Sequence, residues 1–316
     1  IEKNISYACY QRNNHAISEA NGLYTIGTLF PEFKHSERWA AKGKKILEFC
    51  AEDQIFADGS YIQHSMNYHR IILQNYLWAI RLGELNGDTF STGTRKAVQK
   101  ANWFVYQLQD DSGRVPNYGA NDGALILPLN SCDYLDYRPV SNAVNFLFYN
   151  RRLFESECCN EDIVWLFGND ALNSEIKKFP RKSSRFDAGG YYTLRAQDSW
   201  AMTRCQSFKT RPGHADMLHL DLWANGLNIL RDAGTFQYNC SSPWQEYFKS
   251  TSAHNTITVD EHDQMTKLSR FMWADWTKSK VLRFDADTEN YVKIFKGEHY
   301  GYCRNGKDVV HRRTII

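Results

Sequence analysis

The first 167 residues carry apolar positions at helical spacing. In TRKAVQKANWFVYQL, Ala97, Ala101, Val105 and Leu108 recur on one face, while Arg95, Gln99 and Lys100 fall elsewhere. YHRIILQNYLWAIRLGELNG is apolar nearly all round from Ile71 to Leu85 and stops at Gly87, which predicts a helix packed on most sides. The pattern predicts helices near 15–30, 36–52, 64–86, 93–108 and 140–155. No short sequence repeat is evident, which argues against a solenoid.

After KKFPRKSSRFDAGG the period shortens. GYYTLRAQDSWAMTRCQSF alternates around a polar turn, HNTITVD is β-branched, and NYVKIFKGEHYGYCRNGKDVVHRRTII carries two more strand-like runs. In RPGHADMLHLDLW a single strand would put His214, Asp216, Leu218, Leu220 and Leu222 on one face. Helices first and strands afterwards predict an α domain over 1–170 and an antiparallel β domain over 171–316, with the linker near 168–185. HRRTII reads as a strand caught mid-run, so the β domain is expected to be incomplete.

Composition narrows the classes. The 316 residues are 42% hydrophobic and 23% charged, which fits neither a disordered chain nor a membrane protein, and no stretch approaches a transmembrane length. A net charge of +2 with dispersed basic residues gives no footprint for nucleic acid. Lys42, Lys44 and Lys45, and Lys177, Lys178, Arg181 and Lys182, read as solvated faces. Aromatic residues reach 14%, enough to furnish both a core and stacking platforms for sugars. The eight cysteines show no C-x-x-C pair and read as scattered thiols rather than a disulfide framework. The chain begins at Ile1 without a methionine or a signal-like segment.

Six stretches could carry chemistry. In QRNNHAISEANGLY, Asn14 is expected to cap a helix, with His15 and Glu19 one turn apart behind it. In DGSYIQHSMNYHR, His64, Ser65 and Tyr68 would share one helical face where a buried helix opens. NYGANDGALILPL offers Asn121 and Asp122 in a glycine-bounded loop that is either structural or substrate-facing. In the β half, Asp216, Asp232 and His254 each lie at the end of a strand-like run. They are acceptable ligands for a tetrahedral zinc with water in the fourth position, or else three unrelated polar residues.

NNHAISE, QIFADGSYIQHSMNYHR, GHADMLHLDLWANGLNILRDAGT and STSAHNTITVD, in that order, resemble the heparinase II/III-like polysaccharide lyases and the related alginate and oligoalginate lyases. The resemblance implies an (α/α) toroid, here lacking its first helices, followed by an antiparallel β-sandwich truncated at its C-terminal end, with a cleft between them. It implies β-elimination at a uronic acid of an acidic polysaccharide or oligosaccharide, and a periplasmic or secreted location. By position Asn14 with His15 would neutralise the uronate carboxylate, Tyr68 would act as base or acid, and His214 would complete the catalytic set. Glu19, His64, Asn121, Asp122 and Tyr238 would contact substrate. Zinc would be a structural ion on Asp216, Asp232 and His254; some members carry histidine at the position of Asp216, so calcium or no metal are the alternatives.

A free tyrosine ionises near pH 10, so full activation at pH 7 takes about 4 kcal/mol of stabilisation, part of which a protonated histidine at 15, 64 or 214 could supply. Two other readings compete. A glycoside hydrolase would need two carboxylates about 5 to 9.5 Å apart, for which Glu19 and Asp122 are the available pair. A non-catalytic polysaccharide-binding or exopolysaccharide-assembly protein would keep the scaffold without turnover.

Overall fold

The computed structural model describes residues 1–241, 243–286, 292–304 and 308–316. Helices come first: α1 (Ile5–Gln11), α2 (Asn14–Leu29), α3 (Ser36–Gln54), α4 (Met66–Leu85), α5 (Thr92–Gln107), α6 (Arg138–Tyr149) and α7 (Glu161–Phe167). The strands follow as β1 (Ser184–Phe186), β2 (Tyr191–Arg195), β3 (Ser199–Arg204), β4 (Leu220–Ala224) and β5 (Leu227–Leu230). After a short α8 (Trp244–Tyr247) come β6 (Thr266–Ser269), β7 (Met272–Ala274), β8 (Ser279–Asp285), β9 (Ile294–Tyr302) and β10 (Val309–Ile315).

Two units are distinguished by their internal contacts. The first comprises 1–62, 68–106 and 124–180; the second comprises 63–67, 107–123 and 181–316. In the first, α4 is buried without a break from Met66 to Leu77, as its all-round apolar sequence requires, and the chain leaves it through Gly87 at φ +71. Helix α2 lies along α3, where a Cβ on Gly43 would come 2.5 Å from the Ala20 carbonyl oxygen and 2.6 Å from the Tyr24 nitrogen. Only hydrogen fits there.

Three hydrogen bonds tie α2 to α4. The Asn21 amide donates to Asn75 Oδ1 (2.9 Å), the Asn75 amide to Ser18 Oγ (3.3 Å), and the Trp78 indole to Thr25 Oγ1 (2.9 Å). The pairings advance together along both helices, so the two run parallel and their N-terminal ends lie at the same end of the pair.

In the second unit β1 to β5 form an antiparallel sheet in chain order, β8 to β10 form a three-stranded sheet with β9 in the middle, and β6 pairs with β7. Tyr192, Leu194 and Cys205 meet Leu218 and Phe295 in one buried cluster, with Val281, Phe284 and Ile315 against it. The β2–β3 hairpin is buried on both faces, unlike the alternation its sequence suggests.

Two predicted strands are absent. Residues 211–219 form a loop that joins β4 only at Leu220, and Leu218 takes a left-handed φ of 57°. HNTITVD follows a 3-10 turn over Thr251–Ala253 and makes no ladder, only an isolated bridge between Val259 and His262. The strands near the C-terminus form as β9 and β10; residues 290, 291 and 305–307 of that stretch lie outside the described residues.

Candidate active site and metal centre

The helical candidates gather at one end of the α2 and α4 pair. Asn13, not Asn14, caps α2: its backbone is extended and its side chain accepts the His15 N–H at 3.0 Å. Asn14 therefore opens the helix itself, half-buried, with His15 exposed and Glu19 one turn on. Tyr68 sits in the first turn of α4, buried. Asn14, His15 and Tyr68 thus stand at the matching ends of two parallel helices in the first unit.

His64 and Ser65 do not share a helical face with Tyr68, because α4 starts at Met66 and His64 has φ 50°. They belong to the second unit. His64 Nδ1 stands 3.3 Å from the Tyr191 hydroxyl and its ring meets Phe208 edge-on, while Ser65 Oγ donates to the Ala120 carbonyl. Burial, then the nearby Arg204 guanidinium, pushes the His64 pKa well below its ordinary value, so the ring is neutral. Gly119 (φ +81) lets residues 118–121 pass against His64, whose carbonyl a Cβ would overlap. In that loop Asn121 Oδ1 accepts the Gly123 N–H (2.8 Å) and Asp122 Oδ1 accepts from the Asn67 amide (3.3 Å).

A buried polar cluster forms where the 211–219 loop, Asp232 two residues after β5, and the 251–255 segment converge. His214, Asp232 and His254 each offer one ligand atom, and these lie within 4.8 Å of one another. The loop is held by donors and acceptors from elsewhere in the unit. Ala215 N–H donates to the Lys249 carbonyl (3.0 Å), and Thr251 Oγ1 donates to the Ala215 carbonyl (2.9 Å). Met217 N–H donates to Gln264 Oε1 (2.7 Å), whose amide returns a bond to the Met217 carbonyl (3.0 Å).

Asp216 is not part of this set. Its carboxylate pairs with the fully buried Arg204, which lies over the rings of Tyr118, Tyr191 and Phe208 at 5.1 to 5.8 Å. Burial alone would weaken the Arg204 charge, but Asp216 and the tyrosines more than restore it. A buried guanidinium needs a carboxylate, and Asp216 Oδ2 meets Arg204 while its buried Oδ1 has no hydrogen-bond partner among the described residues; the three residues whose ligand atoms converge, and which could hold a metal, are His214, Asp232 and His254.

His219 was passed over by sequence reasoning although HLD repeats the spacing of HAD. Its Nδ1 accepts the Asn255 N–H (3.0 Å), so its ring proton sits on Nε2. Nε2 faces Asp232 Oδ2 at 3.6 Å and Asp221 Oδ2 at 3.8 Å, which makes His219 an orienting neighbour of Asp232 rather than a ligand. Burial would raise the Asp232 pKa, but His254, at 3.3 Å, and His219 outweigh it and hold the group ionised. Burial lowers the His214 pKa to about 3, helped by His254. His254 Nε2 and His214 Nδ1 have no hydrogen-bond partner among the described residues. Two imidazoles and one carboxylate, buried and under-satisfied, suit zinc; calcium asks for six to eight oxygens. Tyr238 lies apart from this set, edge-on to Phe271 with the Lys249 ammonium over its ring.

Helices come first and antiparallel sheets follow, with an Asn, His and Tyr set at helix ends in the first unit and a His/Asp cluster in the second. The chain belongs to the heparinase II/III-like family: residues 3–131 match the heparinase II/III N-terminus and residues 179–316 the heparinase II/III-like C-terminal region. Among curated proteins it is 26% identical to a heparin-sulfate lyase of Bacteroides thetaiotaomicron, over 94% of this chain and 43% of that one. It is 23% identical to a heparin-sulfate lyase of Bacteroides stercoris, over 96% and 42%. A solved heparinase III structure shares the fold with a TM-score of 0.71 at 20% identity, over 99% of this chain and 45% of its own. The chain spans under half the length of the relatives it matches.

Proposed function

We propose that this chain carries the catalytic residues of a polysaccharide lyase that cleaves a 4-linked, uronate-containing polysaccharide by β-elimination, on an (α/α) toroid and β-sandwich framework divided near residues 170 and 171. The observation that carries this reading is the placement of Asn14, His15 and Tyr68 at the same end of two parallel helices, in a chain of the heparinase II/III-like family. Relatives named as heparin-sulfate lyases support a sulfated, uronate-bearing glycosaminoglycan as the substrate class.

The chemistry assigns each residue a task. Asn14 and His15 donate to the uronate carboxylate, which lowers the cost of charge developing as the C5 proton leaves. Tyr68 transfers protons as base or acid: the C5–H bond breaks, its electron pair forms the C4=C5 double bond, the C4–O4 bond breaks, and O4 leaves with a proton. His214 serves as the second proton-transfer group where Asp216 completes the metal set. Glu19, His64, Asn121, Asp122 and Tyr238 are assigned to sugar contacts. Zinc, held by Asp232 and His254 with either His214 or Asp216 as the third ligand, would supply structural cross-linking of the loops that carry them. The location follows the polymer, periplasmic or secreted.

Tyr68→Phe is the test. It is expected to abolish the 235 nm absorbance of the unsaturated product while binding of the polysaccharide persists; unaltered turnover removes Tyr68 from the mechanism, and a saturated product removes elimination altogether.

A further inference from the structure

The first unit holds a second cluster that the elimination reaction does not use. The Sγ atoms of Cys132, Cys158 and Cys159 all lie within 4.8 Å of one another. The sequence shows no metal-binding spacing here, since 132 stands far from the vicinal pair 158 and 159. The fold brings them together through two anchored segments.

Cys132 is in a loop pinned to the start of α7. The Asn130 amide donates to Asp162 Oδ1 (2.8 Å), Ser131 Oγ donates to Glu161 Oε1 (3.0 Å), and Asn130 Oδ1 accepts the Cys132 N–H (3.2 Å). Cys158 and Cys159 occupy a 3-10 turn running directly into α7. The fully buried Asn142 of α6 fixes that turn by donating to the Cys159 carbonyl (3.0 Å) and to Asn160 Oδ1 (2.9 Å). Both approaches to the three sulfurs are therefore set by side-chain hydrogen bonds, independently of the thiols.

We infer that Cys132, Cys158 and Cys159 form a binding site for a thiophilic divalent cation of the zinc class. Zinc–thiolate bonds of about 2.3 Å place the sulfurs of a tetrahedron about 3.8 Å apart, so the observed spacing closes by at most about 1 Å through side-chain rotation. The fourth position is left to water; the Asp136 carboxylate, 4.0 Å from Cys159 Sγ, is held by a bidentate bond from Arg138. Cys159 is buried while Cys132 and Cys158 are partly exposed, which gives an ion access from solvent. The thiol protons leave to solvent as the ion binds.

Reduced, chelator-stripped protein titrated with cadmium tests this. The expected result is a thiolate-to-cadmium ultraviolet band that saturates at one ion and is displaced by zinc. The same ion should slow alkylation of Cys132 and Cys158 by iodoacetamide at least tenfold. Imidazole and carboxylate ligands give no such band, so the His214, Asp232 and His254 set does not contribute. Cys132→Ser and Cys158→Ser should each weaken binding more than tenfold, and Cys9→Ser and Cys303→Ser should not. Absence of the band, unchanged alkylation of the unsubstituted protein, or isolation with Cys132 in a disulfide overturns the site, whether or not the serine variants fold.

Discussion

At the scale of residues, burial decides which polar groups can act. Asp216 and Arg204 are both fully buried, so the pair stands or falls together. Asp216→Ala leaves a guanidinium without a counter-charge and is expected to cost about 3 to 5 kcal/mol, read as a fall in denaturation midpoint. Arg204→Met with Asp216→Leu should recover most of that loss. His69 shows the same rule for a titrating group. Its Nε2 bonds the Ala101 carbonyl at 3.0 Å and its ring stacks on Phe104, and burial lowers its pKa to about 4 against an unfolded value near 6.5. The unfolded chain then binds the extra proton, so stability is full above pH 6.5 and falls as pH drops toward 4. At pH 5 the loss from this residue is about 2 kcal/mol. His69→Gln, which can still donate to Ala101, should flatten the thermal midpoint between pH 7 and pH 5. The stretches that carry Asn14, Tyr68, His214, Asp232 and His254 were legible in the sequence as candidates. Two assignments were not. The cap shifts to Asn13 because both neighbours are asparagine and only backbone angles choose between them. Asp216 pairs with Arg204 in β3, a contact invisible to local spacing.

Elements tell a clearer story for helices than for strands. The five predicted helices form within a few residues of their expected ends, except that α4 starts two residues late and α6 ends near 149, because 3.6-residue periodicity reports a face that local packing then buries. The short α1 and α7 carry too few turns for a period to show. Residues 211–219 and 254–260 have strand-like alternation yet no ladder, since alternation reports burial and not pairing. Close packing of α2 on α3 yields its own test. Gly43→Ala puts a methyl against the Ala20 carbonyl and the Tyr24 nitrogen, both backbone, and is expected to destabilise by about 1 to 3 kcal/mol, measured by denaturant titration.

Across the molecule, the two units are not two halves of the sequence. Residues 63–67 and 107–123 sit with the β unit although they flank helices, a placement no hydrophobic period signals. The two inferred metal sites are divided the same way, thiolates in the first unit and imidazoles with a carboxylate in the second. Zinc at a hundredfold excess over its Kd for the His214, Asp232 and His254 set should stabilise the second unit by about 2.7 kcal/mol. Calorimetry of the stripped and reloaded protein reads this as a rise in midpoint, which His254→Ala should remove. An unchanged midpoint on reloading counts against the site.

The loop that carries His214 has a consequence for how such a site can change over generations. Gln264, 47 residues downstream of Met217, meets both the donor and the acceptor of that residue's backbone, and Thr251 holds Ala215 in a similar way. The shape of the metal-bearing loop is therefore inherited through side chains outside the stretch that carries His214: Thr251, in the stretch that carries His254, and Gln264 further on. A change in the loop's form can come from a glutamine and a threonine far away in sequence.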